Sequence, residues 1–82
     1  MIHIEQLKVG DIIRLRNGRT LSILQKAPST NLNYPWKLRM QVIGDKPNQE
    51  STTYNNHGYF ISGMLHDFDI IEIVNYSKRY FL

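Results

Sequence analysis

The segment 62–69 holds the side chains that come closest to a catalytic or metal-binding pattern. Ser62, His66 and Asp67 are the residue types of a Ser-His-Asp triad, and His66 with Asp69 provides two metal ligands three positions apart. A triad needs groups that converge on one reacting atom, which neighbours on a single turn rarely do. Transition-metal sites usually need three or four convergent ligands. We therefore expect an exposed His66, and an Asp69 that orders the turn before the last strand through local hydrogen bonds.

The other sequence signatures of catalysis are missing from the chain. It has no Gly-x-Ser-x-Gly, His-Glu-x-x-His or Walker-type phosphate loop. It also has no Cys, which excludes disulfides, thiolate zinc sites and cysteine nucleophiles. A chain of 82 residues holds one modest core, and an enclosed active-site cavity would reduce that core further. We predict a protein that is not an enzyme, with no catalytic residue, metal or cofactor.

Basic residues are concentrated in the first part of the chain. Residues 1–46 contain eight Lys or Arg and three Asp or Glu, whereas residues 47–82 contain two and four. Several of the basic residues alternate with apolar ones, so they are expected on the outer face of a sheet: Arg14, Arg16, Arg19, Lys37 and Arg39. On neighbouring strands about 4.8 Å apart these side chains would merge into one positive patch.

Aromatic residues border the predicted basic patch. Tyr34 and Trp36 lie next to it in sequence, and aromatic rings beside Arg or Lys suit stacking on single-stranded bases. The alternative is that the basic residues only keep the sheet soluble and that Trp36 belongs to the core. A second aromatic group, Tyr54, Tyr59 and Phe60, surrounds a tight turn. It predicts either cross-strand ring pairs or a protein-binding ridge.

Alternating apolar residues and turn signals predict an all-β fold. Asn17-Gly18 between two alternating runs predicts a hairpin over residues 9–27, with a type I′ turn. Further strands are expected at 36–43, 50–54, 59–61 and 70–74, with one helical turn at 4–7. Five or six short antiparallel strands indicate a small barrel. The predicted core consists of Ile13, Leu15, Leu21, Ile23, Leu38, Met40, Val42, Ile71 and Ile73.

The domain organisation is expected to be simple. Residues 1–75 form one domain, followed by a tail at 76–82 that contains three aromatic and two basic residues. Such a tail is apolar enough to dock on its own barrel or on a second subunit, as a homo-oligomer contact. We see no signal peptide and no apolar run of about 20 residues, so we expect no membrane association and a cytoplasmic location.

The order of these motifs resembles a known group of proteins. Residues 7–13 followed by Arg16-Asn17-Gly18 are similar to the opening hairpin of SH3-like small barrels. Residues 34–36, the Tyr54 to Phe60 hairpin and residues 69–74 extend the likeness to short bacteriophage-encoded accessory proteins, over about residues 5–74. The resemblance implies an SH3-like barrel of phage origin. Proteins of this kind often bind and disable a host protein or capture a signalling molecule.

Three binding functions follow as hypotheses. The first is a phage accessory protein that inhibits a host factor by direct protein binding, plausibly in antiviral defence, in the cytoplasm of the host cell. The second is a nucleic-acid-binding module that uses the basic strand face, and the third is an oligomeric sponge for an anionic nucleotide signal. The contact residues that we predict for the site are Arg14, Arg16, Tyr34, Trp36, Arg39, Tyr54 and Tyr59.

Overall fold

A computed structural model describes residues 2–44 and 48–77, and it is almost entirely β. A 3₁₀ turn at Ile4–Gln6 precedes five strands, β1 (Ile12–Leu15), β2 (Thr20–Pro28), β3 (Trp36–Val42), β4 (Gln49–Tyr54) and β5 (Ile70–Asn75). The strands form one antiparallel sheet in the order β4-β3-β2-β1-β5. The predicted all-β class is therefore confirmed, as are the hairpin and the single helical turn near the N-terminus.

The turn of the first hairpin differs from the type I′ turn that we predicted. In this turn only Gly18 has a positive φ, of 91°. No described non-glycine residue has a positive φ, so Asn17 does not adopt the one that a type I′ turn requires. The Gly18 N–H donates to the Leu15 carbonyl, and the Leu15 N–H donates to Arg19. This pattern indicates a three-residue loop closed by a glycine bulge. The side-chain oxygen of Asn17 instead accepts the Arg19 N–H. This hydrogen bond accounts for an Asn at this turn position without a positive φ.

The core lies on one face of the sheet. The buried side chains include seven of the predicted core residues together with Ile4, Leu7, Tyr54 and Ile70. The prediction for Ile71 is wrong, since this residue is 41% exposed, and Ile73 is only half-buried against the core. The register explains the exchange: Arg14 pairs with Glu72 but Leu15 pairs with Ile70, so that Ile71 is an extra, bulged residue.

Hydrogen bonds outside the ladders join further segments of this small barrel-like fold. The Ile70 N–H at the start of β5 donates to the Gly58 carbonyl, just after β4. The Ile4 N–H donates to the Asn56 carbonyl, which joins the 3₁₀ turn to the same segment after β4. A sixth strand at 59–61 is not formed, and Ile61 makes only an isolated bridge to Met64. The prediction of a strand there is wrong because Asp69 and Asn55 bind the backbone N–H groups of Phe60 and Tyr59.

The chain leaves β5 next to the start of β1. The Ser77 N–H donates to Oδ1 of the buried Asp11, whose Oδ2 accepts the Lys8 N–H. Residues 78–82 of the predicted tail, and with them its role as an oligomer contact, lie outside the described residues. The part of the chain that the structure describes contains no helix long and apolar enough to cross a membrane.

Candidate functional site

Three arginines of the predicted basic patch form separate ion pairs. Arg14 contacts Glu72 on β5 at the outer surface. Arg19, in the hairpin turn, contacts the partly buried Glu50 of β4. Arg16 places Nη2 3.2 Å from Oδ2 of Asp69. Each of these three arginines therefore faces a different carboxylate, which offsets part of the positive charge that the sequence predicted for one patch.

The remaining basic residues of the predicted patch lie apart from the aromatic ring that was expected to border them. Lys37 and Arg39 are exposed on the outward face of β3, whereas Trp36 is half-buried on the inner face. Trp36 donates from Nε1 to Oδ1 of Asn56, and its ring lies 4.6 Å from Nζ of Lys26. A base that stacked on Trp36 would thus not be held by Lys37 or Arg39.

Lys26 anchors the N-terminal segment to the inner face. Its Nζ donates to the main-chain carbonyls of Glu5 and Leu7 at 3.1 Å. Partial burial lowers the pKa of Lys26, and the nearby charge of Lys8 lowers it further. Together with the stacking on Trp36, these contacts give the residue a structural role.

Two predicted contact tyrosines serve the fold. Tyr54 is completely buried, so it cannot contact a partner directly, and the prediction that it does so is wrong. Its hydroxyl donates to the Phe68 carbonyl, and burial raises the pKa of this phenol well above its usual value, with Glu50 and Asp69 adding to the effect. Tyr34 is half-buried and accepts the Ser62 N–H on its hydroxyl, which joins two loops.

Asp69 organises the loop between β4 and β5. Its Oδ1 accepts the Phe60 N–H, and its Oδ2 accepts the His66 N–H, both at 2.9 Å. The predicted turn-ordering role is confirmed, and the carboxylate is fully buried. His66 is half-buried rather than exposed, with its ring 4.6 Å from Phe60 and 5.2 Å from Phe68.

An apolar surface forms where this loop meets β5. It consists of Tyr59, Met64, Leu65 and Ile71, of which Met64 is 58% and Leu65 70% exposed. Tyr59 lies between two depressions, one of about 260 Å³ lined also by Met64 and Leu65 and one of about 240 Å³ that reaches Ile71. Arg16 and His57 line the second depression on its polar side.

Of this surface, the sequence pointed only to Tyr59, together with Arg16 beside it. Met64 and Leu65 are adjacent apolar residues in a loop after Gly63, where no strand or helix is present to bury them. That placement was the available signal, because apolar side chains without a regular element to bury them are often exposed. Ile71 gave no such signal, since simple alternation along β5 places it in the core.

The histidines show no arrangement for metal coordination. The rings of His3 and His57 lie 5.2 Å apart in an edge-to-face contact. Within ranges 2–44 and 48–77, no group of three or more His, Asp or Glu side chains could hold a metal ion.

No family model matches the chain, and neither a curated protein nor a solved structure matches it.

Proposed function

We propose that this protein acts by docking its apolar surface on another protein. The observation that carries this proposal is the grouping of exposed Met64, Leu65 and Ile71 around Tyr59. Grouped exposed apolar side chains beside depressions are typical of protein interfaces, where a partner inserts anchoring side chains. Asp69 and the ring contacts of Phe60 and His66 hold the loop in place, so docking would require little ordering.

The proposed partner is a host protein, and the effect is its inhibition. This narrower part rests on the resemblance to short phage accessory proteins. The proposed location is the cytoplasm of a bacterial host, and the proposed role is to counter antiviral defence. A partner matched to this surface presents apolar side chains that fill the two depressions beside Tyr59. Docking without a chemical step fits a small domain whose titratable groups mostly form structural contacts.

Two features support the proposal of protein binding over the nucleic-acid alternative. Arg14, Arg16 and Arg19 each face a carboxylate, which reduces the positive field available to a phosphate backbone. The ring of Trp36 lies on the opposite face from Lys37 and Arg39, so base stacking and phosphate binding are not combined on one surface.

An affinity capture with matched variants tests the proposal. The tagged protein is incubated with a bacterial lysate, half of which is treated with nuclease, and the captured proteins are identified by mass spectrometry. Met64→Asp and Leu65→Asp change the apolar surface. Val9→Asp is the control, because Val9 is as exposed as Met64 but lies away from the apolar surface. Its neighbour Gly10 lies close to Ser77, just after the end of β5.

The supporting result is one stoichiometric protein that survives nuclease, is retained by Val9→Asp and is lost with both surface variants. Purified, that protein should bind the wild type directly and lose its activity in the complex. If capture is equal for all three variants, the apolar surface is not the docking site. If every captured protein disappears with nuclease, the protein-binding proposal is wrong and nucleic acid is the ligand.

A further inference from the structure

The outward face of β2, β3 and β4 carries positive charge that no carboxylate of these three strands offsets. Lys37 and Arg39 are both exposed on β3, and neither forms an ion pair with a residue of the described ranges. These three strands contain a single acidic residue, Glu50. It lies opposite the buried Met40, on the inner face, and is paired with Arg19. An anion that approaches the outward face of these strands therefore meets two cations and no carboxylate of theirs.

The same two residues line a groove of about 350 Å³. In the register, Arg39 lies between Gln25 of β2 and Ser51 of β4, and Lys37 lies beside Ala27. Ala27 and Ser51 are the short side chains of this lining, and they leave space beside Lys37 and Arg39. Its volume is within the range of small-molecule sites, and its lining adds a hydroxyl and an amide to the two cations.

We propose that this groove binds a phosphate group. The guanidinium of Arg39 can donate two parallel hydrogen bonds to phosphate oxygens, and the ammonium of Lys37 adds a compact charge about 7 Å further along the strand. Ser51 and Gln25 can donate to the remaining oxygens. None of the residues that line the groove is aromatic, so recognition depends on the phosphate and not on a base. The phosphate belongs to a small phosphorylated molecule or to a polynucleotide backbone.

This site is separate from the apolar surface on the loop before β5. The groove is formed by β2, β3 and β4, whereas the apolar surface is formed by β5 and residues 59–65. Failure of one proposal therefore leaves the other intact. A protein with both sites would bind its protein partner and a phosphorylated ligand at the same time.

Amide chemical shifts of the ¹⁵N-labelled protein test the groove with three probes. Pyrophosphate, adenosine monophosphate and a single-stranded oligonucleotide are titrated separately at about 50 mM and about 200 mM salt. Shifts are expected at Gln25, Ala27, Lys37, Arg39 and Ser51. Tighter binding of the oligonucleotide with a steep loss in salt identifies a polynucleotide backbone as the source. Comparable binding of all three probes identifies a small phosphorylated molecule.

Charge-matched variants separate a built site from net charge. Lys37→Gln with Arg39→Gln should weaken probe binding at least tenfold, whereas Lys8→Gln with Arg14→Gln removes the same charge elsewhere and should change it less than twofold. Ser51→Asp, which places a carboxylate opposite Arg39, should also abolish binding. The changed residues are surface side chains, and urea unfolding checks that each variant folds. Equal losses in both double variants, or no shift at the groove with any probe, would overturn the proposal.

Discussion

Asp69 lies fully buried with its Oδ2 3.2 Å from Nε of Arg16, a residue 53 positions earlier in the chain. The same carboxylate accepts backbone N–H groups from Phe60 and His66. It thus connects the end of β1 to the loop that carries the apolar surface. The hairpin turn is held to this loop by two further bonds, from the Arg16 N–H to the Asp69 carbonyl and from the Asn17 N–H to Asp67.

Removal of this carboxylate is expected to destabilise the protein strongly. Asp69→Ala leaves two backbone N–H groups and a partly buried guanidinium without their acceptor, which should cost about 3 kcal/mol of unfolding free energy. The exposed neighbour Asp67→Ala is the control and should change the free energy by about 0.5 kcal/mol or less. Urea unfolding followed by Trp36 fluorescence measures both. A loss below about 1 kcal/mol for Asp69→Ala would show that the network contributes little.

Tyr54 is expected to make stability fall at high pH. Burial raises the pKa of its phenol in the folded state, while the unfolded chain releases this proton near pH 10. Below pH 10 both states hold the proton and the contribution is complete. Above pH 10 only the folded state holds it, so the free energy of unfolding should drop by about 1.4 kcal/mol per pH unit.

The variant Tyr54→Phe isolates this effect. At neutral pH it should lose about 1–2 kcal/mol, because the Phe68 carbonyl loses its donor. Between pH 10 and 11 the difference from the wild type should shrink, because the variant has no phenol at this position to titrate. Urea unfolding of both proteins from pH 7 to 11 provides the comparison. A constant difference across this range would contradict the raised pKa.

Gly58 and Gly63 separate a crowded backbone position from an open one. Both adopt positive φ, 80° and 81°, but a Cβ at Gly58 would lie 2.8 Å from Cδ1 of Ile2 and 3.2 Å from Cβ of Ile70. Nothing lies within 4 Å of the corresponding position at Gly63. Gly63→Ala should therefore cost about 1–2 kcal/mol for φ alone. Gly58→Ala should cost about 2–4 kcal/mol, because packing strain is added. Equal thermal midpoints for the two variants would show that the crowding has no effect.

Ile70 and Ile71 test the bulge in β5. Ile70 is buried opposite Leu15, so Ile70→Ala should cost about 2–4 kcal/mol of unfolding free energy. Ile71 is the bulged residue and partly exposed, so Ile71→Ala should cost about 1 kcal/mol or less. Chemical denaturation measures both, and Ile73→Ala, at a half-buried position, should lie between them. The reverse order would mean that β5 pairs with β1 without the bulge.

The sequence by itself determined the elements whose signals are local. Asn17-Gly18 marked the hairpin, and strict alternation placed seven core residues of β1, β2 and β3 on one face, because side chains of a strand alternate with a period of two. The same alternation already separates Trp36 from Lys37 and Arg39. These assignments need no knowledge of which strand lies next to which.

Only the tertiary structure decided the contacts that join distant segments. A bulge shifts the alternation of β5 by one residue, so that Ile70 lies in the core and Ile71 does not. The bulge depends on how β5 pairs with β1, which the sequence of β5 alone does not specify. The carboxylates that face Arg14, Arg16 and Arg19 come from β5, the loop before it and β4. Which carboxylate faces each of these arginines depends on how the strands pair, because a charge by itself does not specify which distant residue will neutralise it.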